Sequence, residues 1–210
     1  MKKTVIILAG LAAAVLLFVQ GTYANENLPP VSGPKEPLVK WLINDDNLHA
    51  QTWFHESFLD LKEDIMEAKA AGKRYAIFFE QRGCIYCKKM HEQVLSQKYI
   101  NDFVRENYTV VQINLWGDRE VTDFDGETLT EKKLAKKWGV VYTPTIVFLA
   151  DGIEGKEGKS GKELIVSTIP GAFGPYTFYD MFTWVKVKGY KTAEHFQKFH
   201  ARRLKERGLF

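Results

Sequence analysis

The sequence predicts an α/β fold in which a mixed central β-sheet is flanked by helices, with an extra C-terminal helix. Short, nearly continuous apolar runs indicate strands that are buried on both faces. Segments with apolar residues at helical spacing alternate with these runs, and a strand hairpin followed by a helix completes the pattern. The chain of 210 residues is 45% hydrophobic and 26% charged, which is typical of a globular protein with a proper core.

The first segment of the chain predicts secretion. Two lysines precede an apolar run over 5–19, and Thr22 and Ala24 supply the small residues of a cleavage site. The apolar run is shorter than the roughly 20 residues that span a bilayer. We therefore expect a signal peptide over 1–24 that is cleaved rather than retained as an anchor. No cysteine lies near the cut, so a lipid-modified terminus is excluded, and we expect a periplasmic protein in a compartment that tolerates disulfides.

The rest of the chain has room for one domain with extensions. Residues 25–50 form an N-terminal linker or extension with four prolines within 27–37, and we expect it to be poorly ordered. Residues 51–188 are expected to form the domain, and 189–210 a basic C-terminal helix. The net charge of +3 falls to +1 without the two lysines of the signal peptide. A net charge this small does not indicate a protein that binds nucleic acid.

The basic charge is concentrated at the C-terminal end. From Lys186 to Arg207 there are eight Lys or Arg and two Glu, a net charge of +6. Two interpretations remain open. The residues form a solvated helix face, or they form a docking surface for an acidic partner or an anionic lipid.

The elements follow in order along the chain. The first helix is expected from Ser57 to a stop at Gly72, with Ser57 and Asp60 at its start and a buried face that carries Phe58, Leu61, Ile65 and Ala68. A buried strand over 75–80 leads into a helix from Ile85 to about Ser96. Next come a strand over 109–115, a charged loop over 116–129, a helix between Thr130 and Gly139, a strand over 145–149 and an antiparallel return over 164–169. Pro175 begins a helix that reaches Val187, and a last helix between Thr192 and Gly208 turns Ala193, Phe196, Phe199 and Leu204 inward.

The stretch EQRGCIYCKKMHEQV, residues 80–94, carries the two cysteines of the chain. Disulfide exchange needs a reactive thiolate and a second thiol that resolves the mixed disulfide. A helix N-terminus and the basic residues Arg82, Lys88 and Lys89 would stabilise Cys84 as a thiolate, while Cys87 lies one turn inward. The spacing therefore predicts Cys84 as the nucleophile and Cys87 as the resolving thiol.

The cysteine pair has two other interpretations, a structural clip and a metal carrier. A purely structural clip that closes so short a ring removes little chain entropy, so it would stabilise little. A metal carrier is the stronger alternative, because His91 follows Cys87 by four residues and would place three soft ligands for copper(I) or zinc on one helical face. The other histidines form no recognisable spacing with His91: His49, His55, His195 and His200. We expect a redox site that requires no cofactor and no metal.

A CxxC motif between a buried strand and a helix resembles the active site of the thioredoxin fold. Thr143-Pro144 stands where thioredoxin-like proteins place a cis-proline beside the active-site cysteines. The segments FEQRGCIYCKKMH, GDREVTDFDGETLTEKKLAKKWGV and TPTIVFLADG are similar to the periplasmic thioredoxins associated with sulfur oxidation, the SoxW-like group. The resemblance covers about residues 55–187 and does not extend to the final basic helix.

The resemblance implies roles for further residues. Pro144, with Thr143 before it, would leave neighbouring backbone free to pair with an extended substrate, although a simple strand-entry proline is the alternative. Thioredoxins carry a buried aspartate six residues before the nucleophile, where this chain has Phe78. Glu80 is the nearby acid that would instead take the proton from Cys87. The alternative for Glu80 is a surface carboxylate paired with a lysine.

The sequence thus predicts a periplasmic thiol–disulfide oxidoreductase, expected to be a monomer. The resemblance implies a reductase that acts on a protein disulfide client and is kept reduced by an inner-membrane thiol transporter. Tyr86 between the cysteines resembles the pairs of glutaredoxins and periplasmic disulfide isomerases, so the dipeptide does not fix the redox direction. A disulfide oxidant or isomerase with the same cysteines stays open.

Overall fold

A computed structural model describes residues 28–210 of the chain. The predicted signal peptide over 1–24 lies outside the described residues. Within 28–210, no helix is long and apolar enough to cross a membrane.

A four-stranded mixed sheet forms the centre of the domain, and two small ribbons lie outside it. In the described residues the strands are β1 (Leu42–Ile43), β2 (His49–Ala50), β3 (Arg74–Glu80), β4 (Tyr108–Asn114), β5 (Glu120–Thr122), β6 (Thr128–Thr130), β7 (Thr145–Leu149) and β8 (Ile165–Pro170). The central order is β4-β3-β7-β8, with β3 parallel to β4 and antiparallel to β7, and β7 antiparallel to β8. The predicted mixed sheet and its antiparallel return strand are confirmed.

Helices cover both faces of this sheet. They are α1 (Leu61–Ala70), α2 (Ile85–Met90) with a π-helical continuation (His91–Leu95), α3 (Lys98–Asn107), α4 (Glu131–Trp138), α5 (Gly161–Leu164), α6 (Pro175–Lys186), a 3-10 turn (Gly189–Lys191) and α7 (Phe196–Glu206). Because successive side chains of a strand point to opposite faces of the sheet, β3 contributes side chains to two hydrophobic cores. Phe78 joins the core under α2, α3 and α6, and Ile77 and Phe79 join the core under α1 and α4.

The start of the first helix differs from the prediction. Asp60 caps α1 by accepting from the backbone N–H groups of Lys62 and Glu63, so the helix begins at Leu61 and not at Ser57. Leu59 has a left-handed backbone with φ 64°, which is incompatible with a right-handed helix that runs from Ser57 through this residue. Phe58 therefore points to solvent and is fully exposed, which contradicts its predicted place on the buried face.

The charged segment over 116–129 is not a plain loop. It contains most of the β5–β6 ribbon, in which Val121 is fully buried and pairs with Leu129. The turn between the two strands is held by Asp123, whose carboxylate accepts from the Trp138 indole N–H at 3.2 Å and the backbone N–H of Gly161 at 2.8 Å. The pattern predicted a loop because charged residues dominate this segment and only a few of its positions are buried.

The proline-rich segment, which we expected to be poorly ordered, makes specific contacts with the C-terminal helix. Arg203 on α7 donates to the carbonyl oxygens of Pro29 at 2.8 Å and Pro30 at 3.1 Å, and Arg207 donates to that of Val31 at 2.8 Å. Both guanidinium groups also contact Asp180 on α6. A purely solvated basic face is therefore wrong for Arg203, which is 1% exposed.

The last helix is shorter than predicted, because it begins at Phe196 and not near Thr192. Of the four residues expected to turn inward, Phe199 is buried, Phe196 and Leu204 are half-buried, and Ala193 is exposed. The extra C-terminal helix itself is confirmed. Its buried face is built as much from Arg203 as from apolar side chains.

Candidate active site

The two cysteines form a disulfide where β3 gives way to α2. Gly83 has φ +72°, a left-handed conformation that favours glycine, and it turns the chain into Cys84, the residue that caps α2. The backbone N–H of Cys87 donates to the Sγ of Cys84 at 3.0 Å. Cys84 keeps 6% of its surface exposed and Cys87 keeps none, so only the first cysteine has exposed surface.

Thr143 and Pro144 lie beside the outer cysteine, although they are far from it in the sequence. The Thr143 hydroxyl donates to the Sγ of Cys84 at 3.3 Å. The Thr143–Pro144 peptide bond is cis, and the Pro144 carbonyl accepts from the backbone N–H of Gly171 at 2.8 Å. The structure thus brings together the sequence-predicted residues Cys84, Cys87, Thr143 and Pro144.

We use the name apolar rim for large apolar and aromatic residues that lie within two residues of Cys84 or Thr143 in the sequence or that contact Gln81. Its large side chains are all well exposed: Ile85, Tyr86, Trp116, Val141 and Tyr142. The Trp116 indole N–H donates to the Gln81 side chain at 3.1 Å, which ties this rim to the turn before the cysteines. Sequence reasoning missed Trp116 and Val141, although each lies close to the end of a buried strand or helix near the motif.

Glu80 and His91 form a buried pair at the inner end of the motif. Both are 0% exposed, and the His91 Nε2 lies 2.9 Å from the Glu80 Oε1. Within 28–210, the other oxygen, Oε2, has no hydrogen-bond partner. A surface carboxylate paired with a lysine is therefore wrong for Glu80, because the residue belongs to β3, a strand buried along its length.

His91 is not placed as a metal ligand. One ring nitrogen contacts Glu80, and the other, Nδ1, lies 3.1 Å from the Gln51 Nε2. In the part of the chain that the structure describes, no group of three or more His, Cys, Asp or Glu could hold a metal ion. The alternative ligand set of Cys84, Cys87 and His91 is not assembled in this arrangement, in which the two cysteines are joined as a disulfide and His91 contacts Glu80 and Gln51.

Sequence reasoning missed the N-terminal residues that cover this pair. His49 stacks on the His91 ring with centroids 6.1 Å apart, and Gln51 contacts His91 directly. Burial lowers the pKa of His49; the charge of Glu80 opposes that shift, while His91 and Lys88 add to it. No local signal marks Gln51, because its partner lies 40 residues further along the chain.

Comparisons with known proteins agree with the architecture. Residues 61–182 match the thioredoxin-like domain family. A thioredoxin-fold protein from Helicobacter pylori is 17% identical, with a TM-score of 0.50 over 65% of this chain and 85% of its own. A Thermus thermophilus thioredoxin is 24% identical, with a TM-score of 0.47 over 62% and 86%, and a DsbH oxidoreductase is 16% identical, with a TM-score of 0.41 over 79% and 95%. No curated protein matches the chain.

Proposed function

The chain belongs to the thioredoxin-like family and carries a CxxC disulfide, and from this premise we propose that it reduces protein disulfides in the periplasm. It is a thioredoxin-fold thiol–disulfide oxidoreductase. The observation that carries the proposal is the asymmetry of the pair. Cys84 keeps some exposed surface and its Sγ accepts two hydrogen bonds, whereas Cys87 is fully buried.

Cys84 is the nucleophile in this proposal. In the reduced protein, the Cys87 backbone N–H and the Thr143 hydroxyl are positioned to donate to its thiolate, and donors of this kind favour the charged form. The thiolate attacks a client disulfide, an enzyme–client S–S bond forms, and one client thiolate leaves. Pro144 and the apolar rim are the surface on which an extended client segment would lie.

Cys87 completes the reaction as the resolving thiol. It loses its proton to Glu80 and attacks the Sγ of Cys84, which releases the second client thiolate and closes the Cys84–Cys87 disulfide. The client disulfide is reduced and the enzyme dithiol is oxidised, so the electrons balance. A membrane thiol transporter that reduces the enzyme again would complete the cycle.

The direction and the compartment rest on the resemblance to the SoxW-like periplasmic thioredoxins and on the predicted signal peptide. These features support a monomeric reductase that acts on a client of a sulfur-oxidation or cytochrome-maturation system. A disulfide donor or isomerase is the second candidate, because Tyr86 lies between the cysteines and is exposed beside them.

Selective alkylation tests the roles of the cysteines. With reduced protein at about pH 6 and a limiting amount of reagent, we expect Cys84 to be labelled before Cys87, because a thiolate reacts and a protonated thiol does not. The matched variants Cys84→Ser and Cys87→Ser identify each labelled site by mass. Preferential labelling of Cys87, or of neither cysteine, would overturn the assignment.

The reduction potential tests the direction. Known thiol oxidoreductases span about −270 to −120 mV, and a two-electron couple changes by about 1.4 kcal/mol for each 30 mV. We expect a value nearer −270 mV, measured by equilibration with glutathione or dithiothreitol and an alkylation shift. A value near −120 mV would make the protein a disulfide donor.

A further inference from the structure

The side chains beneath the disulfide form a hydrogen-bond chain with a single direction. An indole N–H is a donor only, and that of Trp53 donates to the Asn101 Oδ1 at 3.0 Å. The Asn101 amide nitrogen must then be the donor end, and it donates to the Gln51 Oε1 at 3.0 Å and to the Leu95 carbonyl at 2.8 Å. The indole therefore fixes the orientation of two buried amides.

The same logic fixes the tautomer of His91. With its oxygen occupied by Asn101, Gln51 presents its amide nitrogen, a donor, to the His91 Nδ1. A ring nitrogen that accepts a hydrogen bond carries no proton, so the proton of the neutral ring is on Nε2. Nε2 then donates to the Glu80 Oε1 at 2.9 Å. If His91 were protonated, both ring nitrogens would be donors, and the hydrogen bond from the Gln51 Nε2 to the His91 Nδ1 could not form.

The residues of this hydrogen-bond chain are shielded from water. Gln51, Asn101, His91 and Glu80 are all buried. His49 on β2 stacks on His91, and the charged groups that bear on this cluster from α2 and its π-helical continuation are Lys88 and Glu92, which are partly exposed and pair with each other at 3.5 Å. Hydrogen bonds aligned in one direction in such a medium polarise one another.

We propose that His91 is a positioning residue that occupies one oxygen of Glu80 and leaves Oε2 as the acceptor for the proton of Cys87. This inference deepens the proposed function and rests on it. His91 follows Cys87 by one helical turn, so their fully buried side chains lie on the same face of the helix, next to the end of β3. Donation from His91 stabilises the carboxylate form of Glu80, which burial alone would disfavour.

The proton step is balanced. The S–H bond of Cys87 breaks, an O–H bond forms at the Glu80 Oε2, and the Cys87 thiolate displaces the client thiolate from Cys84. Glu80 later gives the proton to solvent or to the departing thiolate. Without His91, the carboxylate of Glu80 loses its only side-chain hydrogen-bond donor among the described residues, and Oε2 is no longer kept apart as the acceptor for the proton of Cys87.

Single-turnover kinetics with a chromogenic aromatic disulfide separate the two steps. With one equivalent of the reagent, attack by Cys84 releases the first coloured thiolate, and attack by Cys87 on the mixed disulfide releases the second. In His91→Phe we expect the first phase to be unchanged. The second should be about tenfold slower at neutral pH, with its pH midpoint about one unit higher, since one unit corresponds to a factor of ten. His91→Gln, which keeps a donor for Glu80, should recover part of the rate.

Two further variants keep the test decisive. Gln51→Leu should slow the second phase in the same direction by a smaller factor, and it tests the proposal even if His91→Phe does not fold. Gln97→Leu is the matched control, because Gln97 is also a buried glutamine, but its side chain donates to the Gln93 carbonyl and to no side chain of the hydrogen-bond chain.

The outcomes are distinct. A second phase in the His91 and Gln51 variants with the wild-type rate and pH midpoint would overturn the proposal, as would an equal change in Gln97→Leu. Absence of the first phase in the wild type would instead contradict the proposed oxidoreductase chemistry itself.

Discussion

Asp180 and Glu80 are two of the completely buried carboxylates among residues 28–210, and their surroundings differ in one respect. Both oxygens of Asp180 are occupied: Oδ1 by Arg203 at 3.2 Å and Arg207 at 2.6 Å, and Oδ2 by Arg207 at 2.8 Å and His200 at 2.7 Å. Glu80 has a single contact, to His91, and its second oxygen has no partner within the described residues. The first carboxylate is saturated and the second is not.

The difference indicates what each group does. A buried carboxylate whose oxygens are all paired joins elements and has no capacity left to accept a proton. Asp180 links α6, α7 and, through Arg203, the N-terminal segment. A buried carboxylate with an open oxygen costs stability, and such a cost is tolerated where chemistry uses the group. Glu80 is the last residue of β3, just before the turn that carries the cysteines, and its open oxygen is the acceptor that the proposed reaction needs for the proton of Cys87.

The largest expected effect on stability tests the saturated cluster. Arg203→Leu leaves Asp180 with fewer partners and frees the carbonyl groups of Pro29 and Pro30, so we expect a loss of about 3 kcal/mol in the free energy of unfolding. Denaturant titration measures it. Lys205→Ala on the exposed face of the same helix is the control, expected to stay within about 0.5 kcal/mol.

The same variant also tests the separation of the two clusters. Both phases of the aromatic disulfide reaction should keep their wild-type rates in folded Arg203→Leu. A slower second phase would show that the C-terminal cluster acts on the redox site. The Asp180 cluster would then not be purely structural.

A smaller effect, and one in the opposite direction, is expected at the open carboxylate. Glu80→Gln keeps an acceptor for His91 and replaces a carboxyl group whose second oxygen has no partner in the described residues with a neutral amide, so the free energy of unfolding should stay the same or rise by about 1 kcal/mol. The second kinetic phase should nevertheless become slower. If this variant lost as much stability as Arg203→Leu, Glu80 would be a structural residue like Asp180.

Much of the outer site could be predicted from the sequence because its signals are local. Cys84 and Cys87 lie within one helical turn of each other, directly after an apolar strand. The strand over 145–149 and the first residue of α6, Pro175, are found where the pattern predicts them. Thr143 lies 59 residues from Cys84, and its place beside the sulfur was implied by a family resemblance, not by spacing.

The two buried clusters could not be predicted, because their partners are remote in the sequence. A glutamine such as Gln51 carries no signal for burial or for a role, and its contact with His91 depends on how the N-terminal segment folds over α2. A run of lysines and arginines indicates a solvated face on average. It does not show that Arg203 and Arg207 face one acid on a neighbouring helix.

The smallest expected effect concerns His49, which covers the inner site. Burial lowers its pKa, and its Nδ1 has no partner among residues 28–210. The unfolded chain, with a histidine pKa of about 6.5, therefore binds the proton more tightly than the folded one. The contribution of His49 to the free energy of unfolding is therefore complete above a pH of about 6.5. It is lost as the pH decreases from there toward the lowered pKa of the folded state. We expect this loss to be less than about 1 kcal/mol. His49→Phe should remove it, so the difference between the two proteins in denaturant titrations at several pH values isolates its contribution. If the wild type instead lost stability relative to His49→Phe as the pH rises, the sign would be opposite to the prediction. That result would mean that His49 is charged where it stacks on His91.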